Sequence, residues 1–226
     1  MDTDNLTVLA IDIGGSHVKI RTSAGGEERK AVSGPKMNAA GMADAVEKLA
    51  AGLDFDVLAI GYPGPVVHDK VLSDPHNLAP GWVGFDFAKR FGKPVRIVND
   101  ALMQAIGSYE GGRMLFLGLG TGLGAAMIVD NVAQPMELAH LPYRKGRTYE
   151  DYLGEASLEQ RGHDKWQKHV FAAVEQLTAA LEPDYVVIGG GNVTRLDALP
   201  PKARRGDNAN AFKGGFALWL DKTLMV

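Results

Sequence analysis

The chain has 226 residues, 46% of them hydrophobic and 23% charged, with 24 Lys and Arg against 27 Asp and Glu for a formal net charge of −3. This is material for one large or two small globular domains, and it carries no basic field that would mark a nucleic-acid or anionic-membrane surface. No cysteine is present, which excludes a disulfide framework, an iron–sulfur cluster, a Cys-based zinc site and a thiol nucleophile.

No apolar run approaches the roughly 18–20 residues of a membrane span. Met1 to Asn5 carries two acids and no basic n-region, so no secretory leader is expected and the cytoplasm is the expected location. The chemistry must then use carboxylates, histidines, hydroxyls, backbone amides or a bound metal.

In chain order, Leu6 to Ile13 reads as a strand that turns at Gly14-Gly15 and returns as His17 to Thr22, with Glu27 to Val32 as a third strand. Met37 to Ala51 has the apolar spacing of an amphipathic helix. Phe55 to Gly61 is a buried strand, stopped by Gly61-Tyr-Pro-Gly-Pro65. Val66 to Gly84 reads as an irregular loop, Phe85 to Phe91 as a short helix closed by Gly92, and Pro94 to Val98 as another buried strand. Asn99 and Asp100 then open a helix to Glu110, either residue suiting the N-cap.

Arg113 to Leu119 and Leu123 to Val129 form a second glycine-turn hairpin around Gly120-Thr-Gly122. Asn131 to Arg147 reads as irregular, and Thr148 to Gln160 and Lys165 to Leu181 as helices. Tyr185 to Ile188 is a strand running into Gly189-Gly190-Gly191. A weak helix over Val193 to Leu199, a Pro- and Arg-containing loop, and a final helix over Ala209 to Leu220 complete the chain. Strands alternating with helices predict α/β architecture. The two hairpins, starting 106 residues apart with similar glycine turns, predict two similar halves facing across a cleft. The expected division is an N-terminal lobe over residues 1–98 and a C-terminal lobe over 99–226, with the last helix able to pack back on the first lobe.

The dinucleotide fingerprint, the Walker-type phosphate loop and the H-E-x-x-H zinc motif are all absent. What remains is three glycine turns directly after strands: Asp12-Ile-Gly-Gly-Ser-His-Val-Lys19, Gly118-Leu-Gly-Thr-Gly-Leu-Gly124 and Gly189-Gly-Gly-Asn192. Glycine permits positive φ and close approach of the main chain to a ligand, and successive amides form an anion nest that Ser16 or Thr121 can supplement. Any one of them alone reads as a tight hairpin turn; all three, with carboxylates beside the first, are much harder to explain as turns.

Asp12, on an otherwise buried strand, reads either as a Mg²⁺ ligand beside a phosphate nest or as a carboxylate satisfied by Lys19 or a backbone amide. Asn99-Asp100 ends a buried strand, where open α/β sheets place ligands. Asp100 could take a proton from a substrate hydroxyl while Asn99 orients the substrate, or the pair could simply cap the helix. Glu137, His140 and Glu150 have the donors and acceptors to grip vicinal sugar hydroxyls, and are otherwise polar surface. Two basic clusters, Lys202 with Arg204 and Arg205, and Arg144 with Lys145 and Arg147, read as solvated loops or as guides for a polyanion.

Together these segments resemble the ROK family of sugar kinases, within the actin-like ATPase superfamily, and especially its polyphosphate glucokinases. Asp12 to Lys19 is similar to the family's first phosphate motif, Gly61 to Pro65 to its G-x-P-G-P loop, and Asn77-Leu with Gly81-Trp82 to its sugar loop. Val98-Asn-Asp-Ala101 resembles the N-D-A motif. Gly120 to Gly124 and Val187 to Gly191 resemble the second phosphate motif and the nucleotide-side glycine motif. Thr148-Tyr-Glu-Asp-Tyr-Leu-Gly154 is similar to the polyphosphate glucokinase form.

The resemblance implies a two-lobed actin-like ATPase (ribonuclease H-like) fold and a cytoplasmic homodimer that binds neither nucleic acid nor membrane. The implied reaction is Mg²⁺-dependent transfer of a phosphoryl group from polyphosphate or ATP to a hexose, with glucose giving glucose 6-phosphate. It makes Asp100 the base and Asp12 the residue that places Mg²⁺. Gly14, Gly15, Ser16, Lys19, Gly120, Thr121, Gly122, Gly189, Gly190 and Gly191 would hold the phosphoryl donor, and Asn77, Asn99, Asp100, Glu137, His140 and Glu150 the sugar. The chain lacks the family's Cys-rich motif, so no structural zinc is expected. It carries Ala139 where the E-x-G-H motif has glycine, and its segment after Gly191 is short, which trims the adenosine side. The alternatives are an ATP-dependent kinase for another hexose or an N-acetyl amino sugar, and a sugar-binding regulator without catalysis. A first strand beginning near residue 6 leaves no expected room for a helix-turn-helix.

Overall fold

The structure, a computed structural model, describes residues 5–226. The first four residues, on which most of the leader argument rests, lie outside that range. The chain forms two compact units: residues up to Met103 with Ala211–Leu224, and Gln104–Asn210 with Met225–Val226. The division falls inside a helix rather than at residue 98, and most of the last helix belongs to the first unit.

In the first unit, β1 (Val8–Ile13) turns into β2 (His17–Thr22) and β3 (Gly25–Val32), then α1 (Ala39–Leu49), capped by the Asn38 side chain on the Gly41 amide. β4 (Val57–Tyr62) leads to a two-residue hairpin, β5 (Val66–Val67) and β6 (Lys70–Val71), that interrupts the expected irregular loop. There follow α2 (Phe87–Phe91), stopped by Gly92 in the left-handed region, β7 (Val95–Asn99) and α3 (Asp100–Ser108). The sheet order is β3-β2-β1-β4-β7, with β1, β4 and β7 parallel.

Alternation along these buried strands makes two different faces. Leu9, Ile11, Ile13, Leu58, Ile60 and Tyr62 pack with α1 residues Met42 and Val46 and with Trp82. The opposite face, Ala10, Asp12, Ala59 and Gly61, is small or polar.

The second unit repeats the plan: β8 (Arg113–Leu119), β9 (Leu123–Val129) and β10 (Val132–Met136) are antiparallel neighbours. After a 3-10 turn at Leu138–His140 come β11 (Pro142–Arg144) and β12 (Arg147–Thr148), then α4 (Glu150–Leu153), α5 (Glu155–Arg161) and α6 (His163–Leu181). β13 (Tyr185–Gly189), a 3-10 turn at Gly191–Arg195 and β14 (Ala203–Arg205) follow, and α7 (Asn210–Leu220) returns to the first unit. The order β10-β9-β8-β13-β14 matches the first sheet strand for strand, with β8, β13 and β14 parallel. Trp166, Val170, Ala173, Val174 and Leu177 of α6 pack on Leu115, Leu117, Val186 and Ile188.

Four expectations for this unit need correction. Asn131 to Arg147 is not irregular; β10 pairs with β9 despite Pro135, because the edge position needs no donor there. The expected helix over 148–160 breaks at Gly154, where a side chain would press on the Thr121 and Glu150 carbonyls and where the Glu155 amide bonds to the Gly120 carbonyl at 3.0 Å. The helix expected over 193–199 is only the 3-10 turn. The Pro- and Arg-containing loop holds edge strand β14, in which Arg204 is partly buried and Arg205 exposed, and both are tied to neighbouring elements. Arg204 stacks on Tyr185 and binds Glu110 and the Ser108 carbonyl, while Arg205 donates to the Leu196 carbonyl.

In the first unit α7 lies on the small-residue face. Gly215 has no room for a side chain against Ala10, Ala59 and Met103, Trp219 Nε1 donates to the Leu58 carbonyl at 2.9 Å, and Arg96 stacks on the Trp219 ring.

Candidate active site

In the first unit the candidate residues gather at the carboxyl ends of β1, β4 and β7, where an open parallel sheet receives ligands. Asp12, Gly61 and Val98 stand level across the three strands, and Asn99 is one residue further. Level residues on neighbouring strands point to one face. A side chain on Gly61 would strike Met103 and come within 3.5 Å of the Asp100 Cα, so Asp12 shares a face with the start of α3.

That helix start assigns roles to the Asn-Asp pair. Asn99 Oδ1 accepts from the Ala101 amide at 2.9 Å and the Leu102 amide at 3.1 Å, and its Nδ2 donates to the Gly64 carbonyl at 3.2 Å. Asn99 is therefore the N-cap and ties the Gly61–Pro65 loop to α3. Asp100 occupies the first helical position and also accepts the Ala101 amide, at 2.7 Å. A carboxylate at a helix N-terminus is stabilised in its charged form.

Asp12 is half-buried, and burial pushes its carboxyl above the ordinary carboxylate range, further raised by Glu28 and opposed by Lys19. Lys19 is opposite Asp12 in the β1–β2 ladder but forms no ion pair with it within 4 Å among the described residues. The simple Asp12–Lys19 pair is thus a through-space interaction. Next to Asp12, the amides of Gly15 and Ser16 donate no hydrogen bond among the described residues. Ser33, which sequence reading did not single out, shapes this turn: its hydroxyl donates to the Gly14 carbonyl at 2.6 Å and its amide to the Ser16 carbonyl at 2.9 Å. Asn77 lies against Gly15, its Cβ 3.4 Å from where a glycine side chain would begin. Trp82, by contrast, is core, while Asp74 Oδ1 accepts the Gly81 and Trp82 amides to shape the Asn77 loop. No local motif announces Ser33 or Asp74.

In the second unit the Gly120–Gly122 turn exposes Thr121, and the amides of Thr121 and Gly122 donate no hydrogen bond among the described residues. Glu150 is brought to this turn: its Oε2 accepts from the Leu123 amide at 3.2 Å, and a side chain on Gly122 would overlap the Glu150 carboxylate. Glu137 and His140 meet across the 3-10 turn at 3.7 Å, both exposed. Ala139 between them is buried in the core, so a methyl is accommodated where the motif has glycine. Asn192 Nδ2 donates to the Gly120 carbonyl at 3.3 Å, joining the third glycine segment to the second.

Positive φ is not the general reason for these glycines. Among Gly14, Gly15, Gly120, Gly122, Gly189, Gly190 and Gly191 only Gly190 has it, at 82°, where the chain crosses the Leu119 backbone. At the other turns the small residue supplies space and accessible amides.

Among the described residues no group of three or more His, Cys, Asp or Glu could hold a metal. Mg²⁺ needs no such cage, because it keeps several waters and binds through one or two carboxylates plus substrate phosphates. A half-buried carboxylate with no hydrogen-bond donor among the described residues, beside two available amides, fits that mode and does not fit a tightly held resident ion. Among the described residues no helix is long and apolar enough to cross a membrane.

Known proteins resemble this chain in sequence and in fold. A glucokinase of Pyrobaculum calidifontis is 25% identical over 195 residues, 64% of this chain, and the chain spans 66% of that relative's length. The inorganic polyphosphate/ATP-glucomannokinase of Arthrobacter sp. strain KM superposes with a TM-score of 0.79 at 24% identity, covering 95% of this chain and 98% of that one. A ROK family glucokinase from Streptomyces griseus, in complex with glucose and AMPPNP, superposes with a TM-score of 0.76 at 17% identity, covering 95% and 99%. These likenesses establish the α/β actin-like ATPase fold. The ROK family pattern itself matches residues 8–135, more than half of the sequence, and the chain belongs to the ROK family.

Proposed function

We propose that this protein is a Mg²⁺-dependent sugar kinase that transfers the terminal phosphoryl group of polyphosphate or ATP to a hexose, converting glucose to glucose 6-phosphate. The observation that carries this reading is the division of labour at the start of α3. Asn99 caps the helix, and Asp100, the first residue of α3, stands at the carboxyl end of the sheet on the face that carries Asp12 and Gly61.

Asp100 takes the proton of the sugar O6 hydroxyl as that oxygen bonds to the terminal phosphorus, and the bridging bond to the rest of the donor breaks. The leaving group is ADP or a polyphosphate one unit shorter. Such transfers pass through a loose transition state, so orientation and charge neutralisation matter more than base strength. In the first unit, the amides of Gly15 and Ser16 and the Ser16 hydroxyl hold donor oxygens, with Gly14 shaping their turn, and Asn77 donates to the sugar. The second unit supplies the amides of Thr121 and Gly122, the glycine turns at Gly120 and Gly189 to Gly191, and Glu137, His140 and Glu150 as partners for sugar hydroxyls. Asp12 holds Mg²⁺ directly or through water, and the ion, when bound, neutralises charge on the donor oxygens. Lys19 acts by lowering the Asp12 pKa, which favours the ligating form. The setting we propose is the cytoplasm, and the assembly a homodimer, which light scattering reads directly.

The test is glucose 6-phosphate formation with Mg²⁺ and either ATP or polyphosphate, with Asp100→Asn run beside the wild type. Turnover abolished by that substitution supports the kinase, and the preferred donor settles the branch. Silence with both donors across a hexose panel, with sugar still bound, would replace it by a sugar-binding regulator.

A further inference from the structure

Residues 137–150 of the second unit carry Glu137, His140 and Glu150, yet have little regular structure to hold them. β11 and β12 have three and two residues, and their turn at Lys145-Gly146 has positive φ at both positions. Three tyrosines anchor the segment instead. Tyr143 lies three residues after His140, Tyr149 just before Glu150, and Tyr152 two residues after it. Tyr143 stacks with Tyr149 at 4.8 Å and meets Tyr152 edge-on at 5.1 Å.

All three dock on α6, whose 19 residues are seated on the sheet by their apolar face. His169 makes edge contacts to Tyr152 at 4.7 Å and to Tyr143 at 5.8 Å between centroids, and its Nδ1 stands 3.3 Å from the Tyr143 hydroxyl. Two turns further along, Gln176 Oε1 accepts from the Tyr149 hydroxyl at 3.0 Å. Trp166 Nε1, one turn before His169, donates to the Leu153 carbonyl that ends α4. An apolar residue at 169 could fill the space between the rings but could not bond the Tyr143 hydroxyl.

We propose that His169 is a positioning residue for sugar binding: by clamping Tyr143 and Tyr152 to α6 it fixes the segment that presents His140 and Glu150. This rests on the kinase reading. The groups facing the ring are Tyr143 and Arg144 of β11, Tyr152 of α4 and Arg161 of α5, which lies over the Tyr152 ring. Burial and the two guanidiniums hold the imidazole pKa below its ordinary value, so the clamp operates with a neutral ring. Protonation at acid pH places a third cation in that group and opens it.

The test compares wild type with His169→Ala, His169→Gln and Tyr143→Phe, the last removing one hydroxyl and leaving the ring in place. Initial rates are taken against glucose and against donor, and amide exchange is followed over residues 137–153. His169→Ala raises the glucose KM about tenfold with kcat and donor KM within about twofold, as expected when ground-state and transition-state binding fall together. Tyr143→Phe moves KM the same way by less, and both variants speed exchange in residues 141–149. His169→Gln, which keeps a hydrogen-bonding group and does not titrate, restores the glucose KM at neutral pH and flattens its rise at acid pH. A glucose KM or exchange rate equal to wild type in His169→Ala, or a fall in kcat alone, overturns the proposal. A wild type that phosphorylates no hexose overturns this inference together with the kinase reading, and that failure is seen before any variant is made.

Discussion

Asp12 near the end of β1 and Asp100 at the start of α3 have different surroundings, and the kinase reading gives them different work. Asp100 opens α3 directly behind the Asn99 cap, the place the kinase reading gives to the base. Asp100→Asn should therefore lower kcat by about 10²–10⁴, the usual worth of a positioned base, while sugar affinity changes little. Calorimetric glucose binding beside turnover separates the two effects. Asp12 is disfavoured as an anion by burial. Because its folded pKa lies above the unfolded value, its contribution favours folding below about pH 3.8 and is lost as pH rises through the folded pKa. Asp12→Asn should consequently raise the melting midpoint of the ligand-free protein at pH 7 while abolishing Mg²⁺-dependent turnover. Thermal melts at pH 7 and pH 4 check the sign, since the gain over wild type should shrink toward acid. Asn99 gives the complementary case: Asn99→Ala removes two capping bonds and the tie to Gly64, and should cost about 1–2 kcal/mol in denaturant unfolding.

At the scale of elements, the glycine turns are positions where one segment must cross another. Gly190 has φ 82° and ψ 168°, a region open essentially to glycine alone, and lies directly on the Leu119 backbone. Gly190→Ala should cost more than about 1–3 kcal/mol, the strain alone, and should perturb the Gly120 turn beside it. Urea unfolding gives the first number. The second effect is read as a rise in donor KM. α6 shows how one helix serves two purposes, since the stripe on the sheet supports the core while Trp166, His169 and Gln176 receive the ends of α4 and β11 and the start of α4. His169, with its folded pKa lowered, contributes stability that is present above its unfolded pKa of about 6.5 and is lost as pH falls through the folded value. His169→Gln should remove that part of the acid sensitivity.

For the molecule as a whole, both units use one sheet plan, and each protects its central parallel strands differently. In the first unit α7 covers Ala10 and Ala59, held by Trp219 and Arg96. Trp219→Ala should destabilise that unit by about 2–3 kcal/mol through lost packing and one hydrogen bond. Amide exchange should then quicken in β1, β4 and β7 more than in β8, β9 and β13. Uniform quickening would mean that the two units unfold as one.

Much was determined by the sequence itself. The strands β1, β2, β8 and β9 are legible because buried strands concentrate β-branched and apolar residues between glycine turns, and the motif order identified the family. Asp12 and Asp100 are legible as candidates because each carboxylate lies at or just past the end of an apolar strand, although pairing with Lys19 or a helix cap would also account for them. Tertiary structure alone decided the rest. β11, β12 and β14 have two or three residues and no periodicity to read, and they exist because a neighbouring strand accepts them. Whether Asn99 or Asp100 caps α3 depends on rotamers and on the distant Gly64 carbonyl. The clamp of Tyr143, Tyr152 and His169 joins residues 26 and 17 positions apart in sequence. Local pattern reports what a residue does to its own strand or helix; which side chains meet across elements is settled only when the sheet, its register and the helix on it are in place.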